Sequence, residues 1–180
     1  MSGYTKPYRF DRNRNRGCVT IYIREDIPSR ELNLLNIPSD IESIFIEINL
    51  FKIKWLLCGC YHPPTQDDHY FFTNLSNALD RYTQNYEKIL LIGDFNAEDH
   101  EPCLSEFMNE HNIGNLVTEK TCFKSSTNPS CIDLFLTNYP LSFQNTCAIT
   151  TGLSDFHKMV ITVMKMTFQK NPPREIYYRL

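Results

Sequence analysis

Apolar and polar residues alternate through the early part of the chain. Val19, Ile21 and Ile23 interleave with Cys18, Thr20, Tyr22 and Arg24, the period-two pattern of a half-buried strand. From Glu42 to Leu50 the same alternation puts Ile44, Ile46, Ile48 and Leu50 on one face and Ser43, Phe45, Glu47 and Asn49 on the other, and Phe51 to Tyr61 follow as a third strand. Two runs so close together predict an antiparallel hairpin turning around Asn49 to Lys52. Pro63 and Pro64 stop the sheet. Thr65 is placed to cap a helix in which Phe71, Phe72, Leu75, Leu79, Tyr82 and Tyr86 recur at steps of three and four, a stripe that faces a core. Ile89 to Ile92 is short and continuously apolar, as a strand covered on both faces should be, and it ends at Gly93-Asp94-Phe95-Asn96. A second helix is predicted with Pro102 in its first turn, Leu104, Phe107, Met108 and His111 on one face, and Gly114 just past its end. Strands resume at about Cys131 to Thr137, Asn145 to Thr150 and Lys158 to Met166, separated by loops rich in Ser, Thr, Asn and Pro. Strands outnumber helices, and the helices sit between strand groups. This favours two packed sheets with helices on their outer faces, a layered α/β sandwich, over a doubly wound parallel sheet.

Composition narrows the picture. With 180 residues, 42% of them hydrophobic, and twelve Phe and ten Tyr, the chain can bury one sizeable core. One domain is expected over 16–168, between a basic segment at 1–15 and a linker-like tail at 169–180 that holds two prolines with Lys170, Arg174 and Arg179. The formal net charge of −3 excludes a surface that coats nucleic acid indiscriminately, which needs a basic excess. A local patch stands in the first segment, where Lys6, Arg9, Arg12, Arg14 and Arg16 interleave with Tyr8, Phe10, Asn13 and Asn15; the plainer expectation there is a flexible, solvated terminus. The seven cysteines are odd in number, have no CxxC pair and follow no signal-peptide pattern, so they read as reduced thiols in the cytosol or nucleus. Cys58 and Cys60 alternate along an apolar strand and suit a core better than a zinc site. No apolar run approaches the ~20 residues of a membrane span.

The chemistry lies where the strands end. Asp94 and Asn96 follow the most buried strand, at its carboxyl end; they can hold water or phosphate, or simply make an Asp/Asn turn. Asp133 lies within the apolar run Cys131 to Leu136, where a carboxylate needs a partner. The cluster Ser154-Asp155-Phe156-His157, just before the last strand, can supply one. Carboxylates, an Asn and a His converging at strand ends suit hydrolysis of a phosphodiester: carboxylates bind Mg²⁺ through hard oxygens, an Asp can align a His, and an Asn can orient water.

In this order on this strand pattern, the residues resemble the endonuclease domain of jockey-like non-LTR retrotransposons, within the endonuclease/exonuclease/phosphatase superfamily. The resemblance runs from about Arg16 to Met166 and is carried by Tyr61-His62-Pro63-Pro64, Leu91-Ile92-Gly93-Asp94-Phe95-Asn96-Ala97, Ser130-Cys131-Ile132-Asp133 and Leu153-Ser154-Asp155. The end Ile176-Tyr177-Tyr178-Arg179 is similar to the segment that leads toward the reverse transcriptase in such elements. The resemblance implies a four-layer αββα sandwich and Mg²⁺, with Mn²⁺ as an alternative. It also implies that Tyr61 contacts the scissile phosphate, Asp94 activates water, Asn96 holds the phosphate and aligns that water, Asp133 orients the catalytic His, and Asp155 helps bind the metal. The implied partner is DNA, nicked on one strand to leave a 3′-hydroxyl.

Two departures stand against it. The family opens with a strand carrying an Asn and, further on, a strand ending in a metal-binding Glu; neither pattern precedes Arg16, so the domain is expected to lack its first strands. That would leave a sheet edge open to pairing with another chain. The family's His directly follows the last Asp, whereas Phe156 stands there here and His157 comes one residue later. A one-residue shift in a strand turns a side chain to the opposite face, so His157 needs a bulge or loop adjustment to serve. Two further readings therefore stand beside the nuclease: a catalytically inactive remnant that binds nucleic acid or protein, and a phosphomonoesterase on the same fold.

Overall fold

The computed structural model describes residues 2–13, 16–33, 37–98, 100–125 and 127–165. In chain order the elements are β1 (Tyr8–Asn13), β2 (Arg16–Ile21), β3 (Ser29–Glu31), β4 (Glu42–Leu50), β5 (Ile53–Tyr61), α1 (Asp68–Thr83), β6 (Lys88–Asp94), α2 (Pro102–Glu110), β7 (Gly114–Asn115), β8 (Asp133–Thr137), a 3-10 turn (Pro140–Ser142), β9 (Phe143–Ile149) and β10 (Met159–Met164). A six-stranded sheet with the order β3-β4-β5-β6-β8-β7 forms the centre, and β1-β2 and β9-β10 make two separate antiparallel pairs.

The predicted hairpin is β4–β5, antiparallel from Glu42↔Tyr61 to Leu50↔Ile53. Its two-residue turn places Phe51 and Lys52 at φ 54° and 66°, the mirror-image geometry whose twist matches that of paired strands. Helix α1 then carries the chain across to β6, which pairs parallel with β5 on one side and antiparallel with β8 on the other. That central place explains why Ile89 to Ile92 is apolar throughout.

Alternation along the strands builds two cores. On one face Phe45, Leu56, Cys58, Leu91, Leu134 and Leu136 meet Phe71, Phe72, Leu75 and Leu79 of α1 and Leu104 and Phe107 of α2. Each such side chain, fully buried, contributes about 2 kcal/mol. The opposite face presents Ile44, Ile46, Ile48, Trp55, Leu57, Leu90 and Phe135. The hairpin β1–β2 covers it with Tyr8, Phe10, Val19 and Ile21, and the hairpin β9–β10 with Phe143, Val160 and Met164. The result is an α/β sandwich in which, among the described residues, the helices cover the six-stranded sheet and the hairpins stand in for a second sheet.

Several local expectations are corrected. Residues 8–13 of the supposed solvated terminus form β1, because Tyr8 and Phe10 have an apolar face to pack on. Asp67, rather than Thr65, caps α1: its side chain accepts the Tyr70 N–H at 2.8 Å, the geometry for which Asp serves as well as Thr. Past α2 the left-handed position is taken by Asn112 at φ 51°, and Gly114 already belongs to β7. The tail 169–180 lies outside the described residues. Cys58, Cys60, Cys103, Cys122, Cys131 and Cys147 form no disulfide, and Cys58 and Cys60 lie within the core. Among the described residues no helix is long and apolar enough to cross a membrane.

Candidate active site

Four polar side chains stand in a row at one end of the central sheet. The register pairs Glu42 with Tyr61, Tyr61 with Asp94, and Asp94 with Asp133, across β4, β5, β6 and β8. Paired residues share a face, and in the period-two pattern this row belongs with Ile44, Leu57, Ile92 and Phe135. It therefore faces the hairpin layer. Glu42 is only 1% exposed, although in the sequence a charge at a strand's first residue looks like an edge. Only the pairing register reveals it. Beside the row, a cavity of about 450 Å³ is lined by Tyr61 and Asp94 with Ile21, Tyr22, Gly59 and Ile92.

After β6 the chain turns sharply. The Asn96 N–H donates to Asp94 Oδ1 at 3.0 Å, and Asn96 adopts φ 45°, which Asn tolerates better than most residues. Its Nδ2 donates to the His62 carbonyl at 2.7 Å. Burial pushes the Asp94 carboxyl above the ordinary Asp range; the Asn96 N–H opposes this, the negative charge of Asp133 adds to it, and His157 and Lys124 oppose it. A carboxylate raised in this way is a better proton acceptor than a solvated one.

Asp133 is held from behind by Thr121, fully buried, whose Oγ1 accepts the N–H groups of Ile132 and Asp133 at 3.2 and 3.1 Å. The Lys158 N–H donates to the Thr121 carbonyl at 2.8 Å and the Phe123 N–H to the Phe156 carbonyl at 2.7 Å, so the segment carrying His157 is pinned beside the one carrying Thr121 and Cys122. Ser154 Oγ accepts from His157 N–H at 3.0 Å and from Phe156 N–H at 3.3 Å. In this loop His157 Nδ1 lies 3.6 Å from Asp133 Oδ2, an ion-pair distance longer than a hydrogen bond, and Nε2 lies 3.7 Å from Cys122 Sγ. Phe156 is 52% exposed. Tyr61, Asp94, Asn96, Asp133 and His157 are thus gathered at one end of the sheet, while Asp155 is exposed on the loop before β10.

Members of this fold family generally use a divalent metal ion. Among the described residues no three or more His, Cys, Asp and Glu side chains stand together as a metal-ligating group. Asp133 Oδ2, which is buried and makes no hydrogen bond, faces His157.

Comparison with known proteins places the geometry in context. The endonuclease domain of TRAS1, a telomere-specific non-LTR retrotransposon, superposes with a TM-score of 0.75 at 10% identity, covering 93% of this chain and 83% of that one. The mannosyl-6-phosphatase Bt3783 of Bacteroides thetaiotaomicron gives 0.61 at 14% identity, covering 91% and 78%. A truncated TDP2 of Caenorhabditis elegans gives 0.59 at 14%, covering 88% and 74%. At such identities the likeness is one of fold, the endonuclease/exonuclease/phosphatase sandwich. No curated protein sequence matches the chain. The family model described as endonuclease-reverse transcriptase matches residues 55–161, more than half of the chain and the whole stretch from Trp55 through Tyr61, Asp94, Asp133 and His157, so the chain belongs to the endonuclease-reverse transcriptase family.

Proposed function

We propose that the chain hydrolyses a phosphodiester bond in DNA, cutting one strand and leaving a 3′-hydroxyl, with Mg²⁺ or Mn²⁺ as the assisting ion. The observation that carries this reading is the convergence of Asp94, Asp133 and His157 at the ends of adjacent elements, beside an open cavity that Tyr61 also lines. Asp94 accepts a proton from the attacking water as the water oxygen bonds to phosphorus, the P–O3′ bond breaks, and the departing 3′-oxygen takes a proton from solvent. His157, oriented through Nδ1 by Asp133, presents its ring toward the phosphate, and Tyr61 contacts a phosphate oxygen from the neighbouring strand end. Asn96, its Nδ2 committed to His62, aligns the water through its carbonyl oxygen. With no set of three ligands among the described residues, an ion here would rely largely on water and on the substrate phosphate, as Mg²⁺ commonly does.

DNA is preferred over a phosphomonoester because the family match is to an endonuclease-reverse transcriptase. A specific observation favours the inactive-remnant reading instead: Asp155, the residue expected to help bind the ion, is exposed rather than gathered with the others. Conversion of supercoiled plasmid to its relaxed form in Mg²⁺ separates these readings. The parent chain should relax it and Asp94→Ala should be slower by at least about a hundredfold. Equal behaviour of a folded parent and the variant would overturn the proposal, and turnover of p-nitrophenyl phosphate without nicking would move the substrate to phosphomonoesters.

A further inference from the structure

We infer that His62 is a positioning residue that holds Asp94, Phe95 and Asn96 in the arrangement the site uses, a role resting on the hydrolytic reading above. Three hydrogen bonds from this one residue reach three consecutive residues. Its N–H donates to the Asp94 carbonyl at 2.9 Å, extending the β5–β6 ladder by one rung. Its carbonyl accepts from Asn96 Nδ2 at 2.7 Å. Its ring Nδ1 lies 2.9 Å from the Phe95 carbonyl. A carbonyl only accepts, so Nδ1 is the donor of this pair.

The ring is also anchored on its other side. It is 1% exposed, stacks on Phe71 at 4.3 Å and 22°, and meets Phe72 edge-on at 5.7 Å. Nε2 makes no hydrogen bond, and Asp68 Oδ1 in the first turn of α1, 3.6 Å away, is beyond hydrogen-bond reach, so the two phenyl rings supply the anchor. His62 therefore ties the turn after β6 to the helix layer. That turn needs holding: Asn96 sits in the left-handed region, which costs an L-residue roughly 1 kcal/mol, and Phe95 is fully buried, so its carbonyl loses more than a hydrogen bond if the imidazole donor is removed. A side chain that only filled the space against Phe71 would leave that carbonyl without its donor.

Two substitutions separate positioning from packing. His62→Phe keeps an aromatic ring against Phe71 and removes the donor, whereas His62→Asn keeps an N–H donor near the place of Nδ1 and removes the ring. Positioning predicts that His62→Asn keeps kcat for plasmid nicking within about tenfold of the parent, while His62→Phe loses about a hundredfold in kcat with KM little changed. Packing alone predicts the reverse order, and that order would overturn the role. NMR of the full chain gives a reading independent of turnover. In the parent, His62 should show a protonated Nδ1, and the Asn96 side-chain amide should exchange slowly with solvent. In His62→Phe that amide should shift and exchange faster. A parent His62 protonated on Nε2 alone, or an Asn96 amide unmoved in His62→Phe, would refute the role of His62 even if nicking is robust. If the parent does not nick, while the NMR results are as expected, the hydrolytic reading fails and the grip on the turn stands.

Discussion

His157 Nδ1 meets Asp133 Oδ2 at 3.6 Å, although the residue that directly follows Asp155 in the chain is Phe156. The strand β10 begins at Met159, so His157 lies in the loop before it and escapes the two-residue periodicity that would have turned it away. Ser154 draws the N–H groups of Phe156 and His157 together, and the bridge between Cys122 and His157 fixes the loop against its neighbour. Measured from His157, the residue in the preceding place is Phe156. It is His157, not Phe156, that stands beside Asp133.

The first prediction follows from this placement. His157→Ala should lower the initial rate of plasmid nicking by a hundredfold or more, the usual scale for a lost general acid or base, while Phe156→Ala should stay within about threefold of the parent. A large loss in Phe156→Ala with His157→Ala nearly unaffected would show that the ring beside Asp133 is not the working one.

Much of this site was legible from the chain because strand ends are marked by composition. The apolar run Ile89 to Ile92 could only be a covered strand, which placed Asp94 and Asn96 at its end, and Asp133 was conspicuous as a carboxylate among Cys131, Ile132, Leu134 and Phe135. What escaped notice depends on partners distant in sequence. Glu42 joins the row only through its pairing with Tyr61, and His62 and Thr121 act through hydrogen bonds to residues 33 and 12 positions away. Alternation in β1, β2, β9 and β10 says only that each is half-buried, which suits one full second sheet as well as two hairpins, and pairing sets their grouping into two hairpins. The cap of α1 shows a similar limit, since Thr65 and Asp67 are both good caps and only the turn after Pro64 chooses between them.

The protonation of Asp94 gives a second prediction. Burial and the charge of Asp133 raise its pKa, so Asp94 gains its proton at a higher pH than a solvated Asp does. As the proton acceptor it must be ionised, and the acid limb of the nicking rate should therefore lie at a higher pH than a solvated Asp would set. The folded state binds this proton more tightly than the unfolded chain. The stability from this source is thus present at low pH and is lost as pH rises through the raised pKa, and Asp94→Asn should show a higher urea midpoint than the parent at neutral pH. Asp133→Asn removes a raising charge, so the Asp94 titration followed by carbon-13 NMR should move to lower pH; an upward move would contradict the assigned cause.

The third prediction concerns the backbone that delivers Asp94 to the site. A Cβ built on Gly93 would lie 1.8 Å from the Cys60 carbonyl oxygen and 2.8 Å from its carbonyl carbon. Both are backbone atoms of the paired strand and cannot turn aside, so the ladder between β5 and β6 must open at the rung before Tyr61↔Asp94. At Gly59 the nearest atoms to an added Cβ belong to the Ile21 side chain, at 2.6 Å for its terminal carbon, which a rotamer change can withdraw. Gly93→Ala should therefore cost about 3 kcal/mol in urea unfolding and Gly59→Ala about 1 kcal/mol. Because Asp94 is the next residue, Gly93→Ala should also depress nicking under conditions where the variant remains folded. If Gly93→Ala unfolds at the same urea concentration as the parent, the close approach of the two strands is not what places Asp94, and the burden shifts to the His62 grip on the turn beyond it.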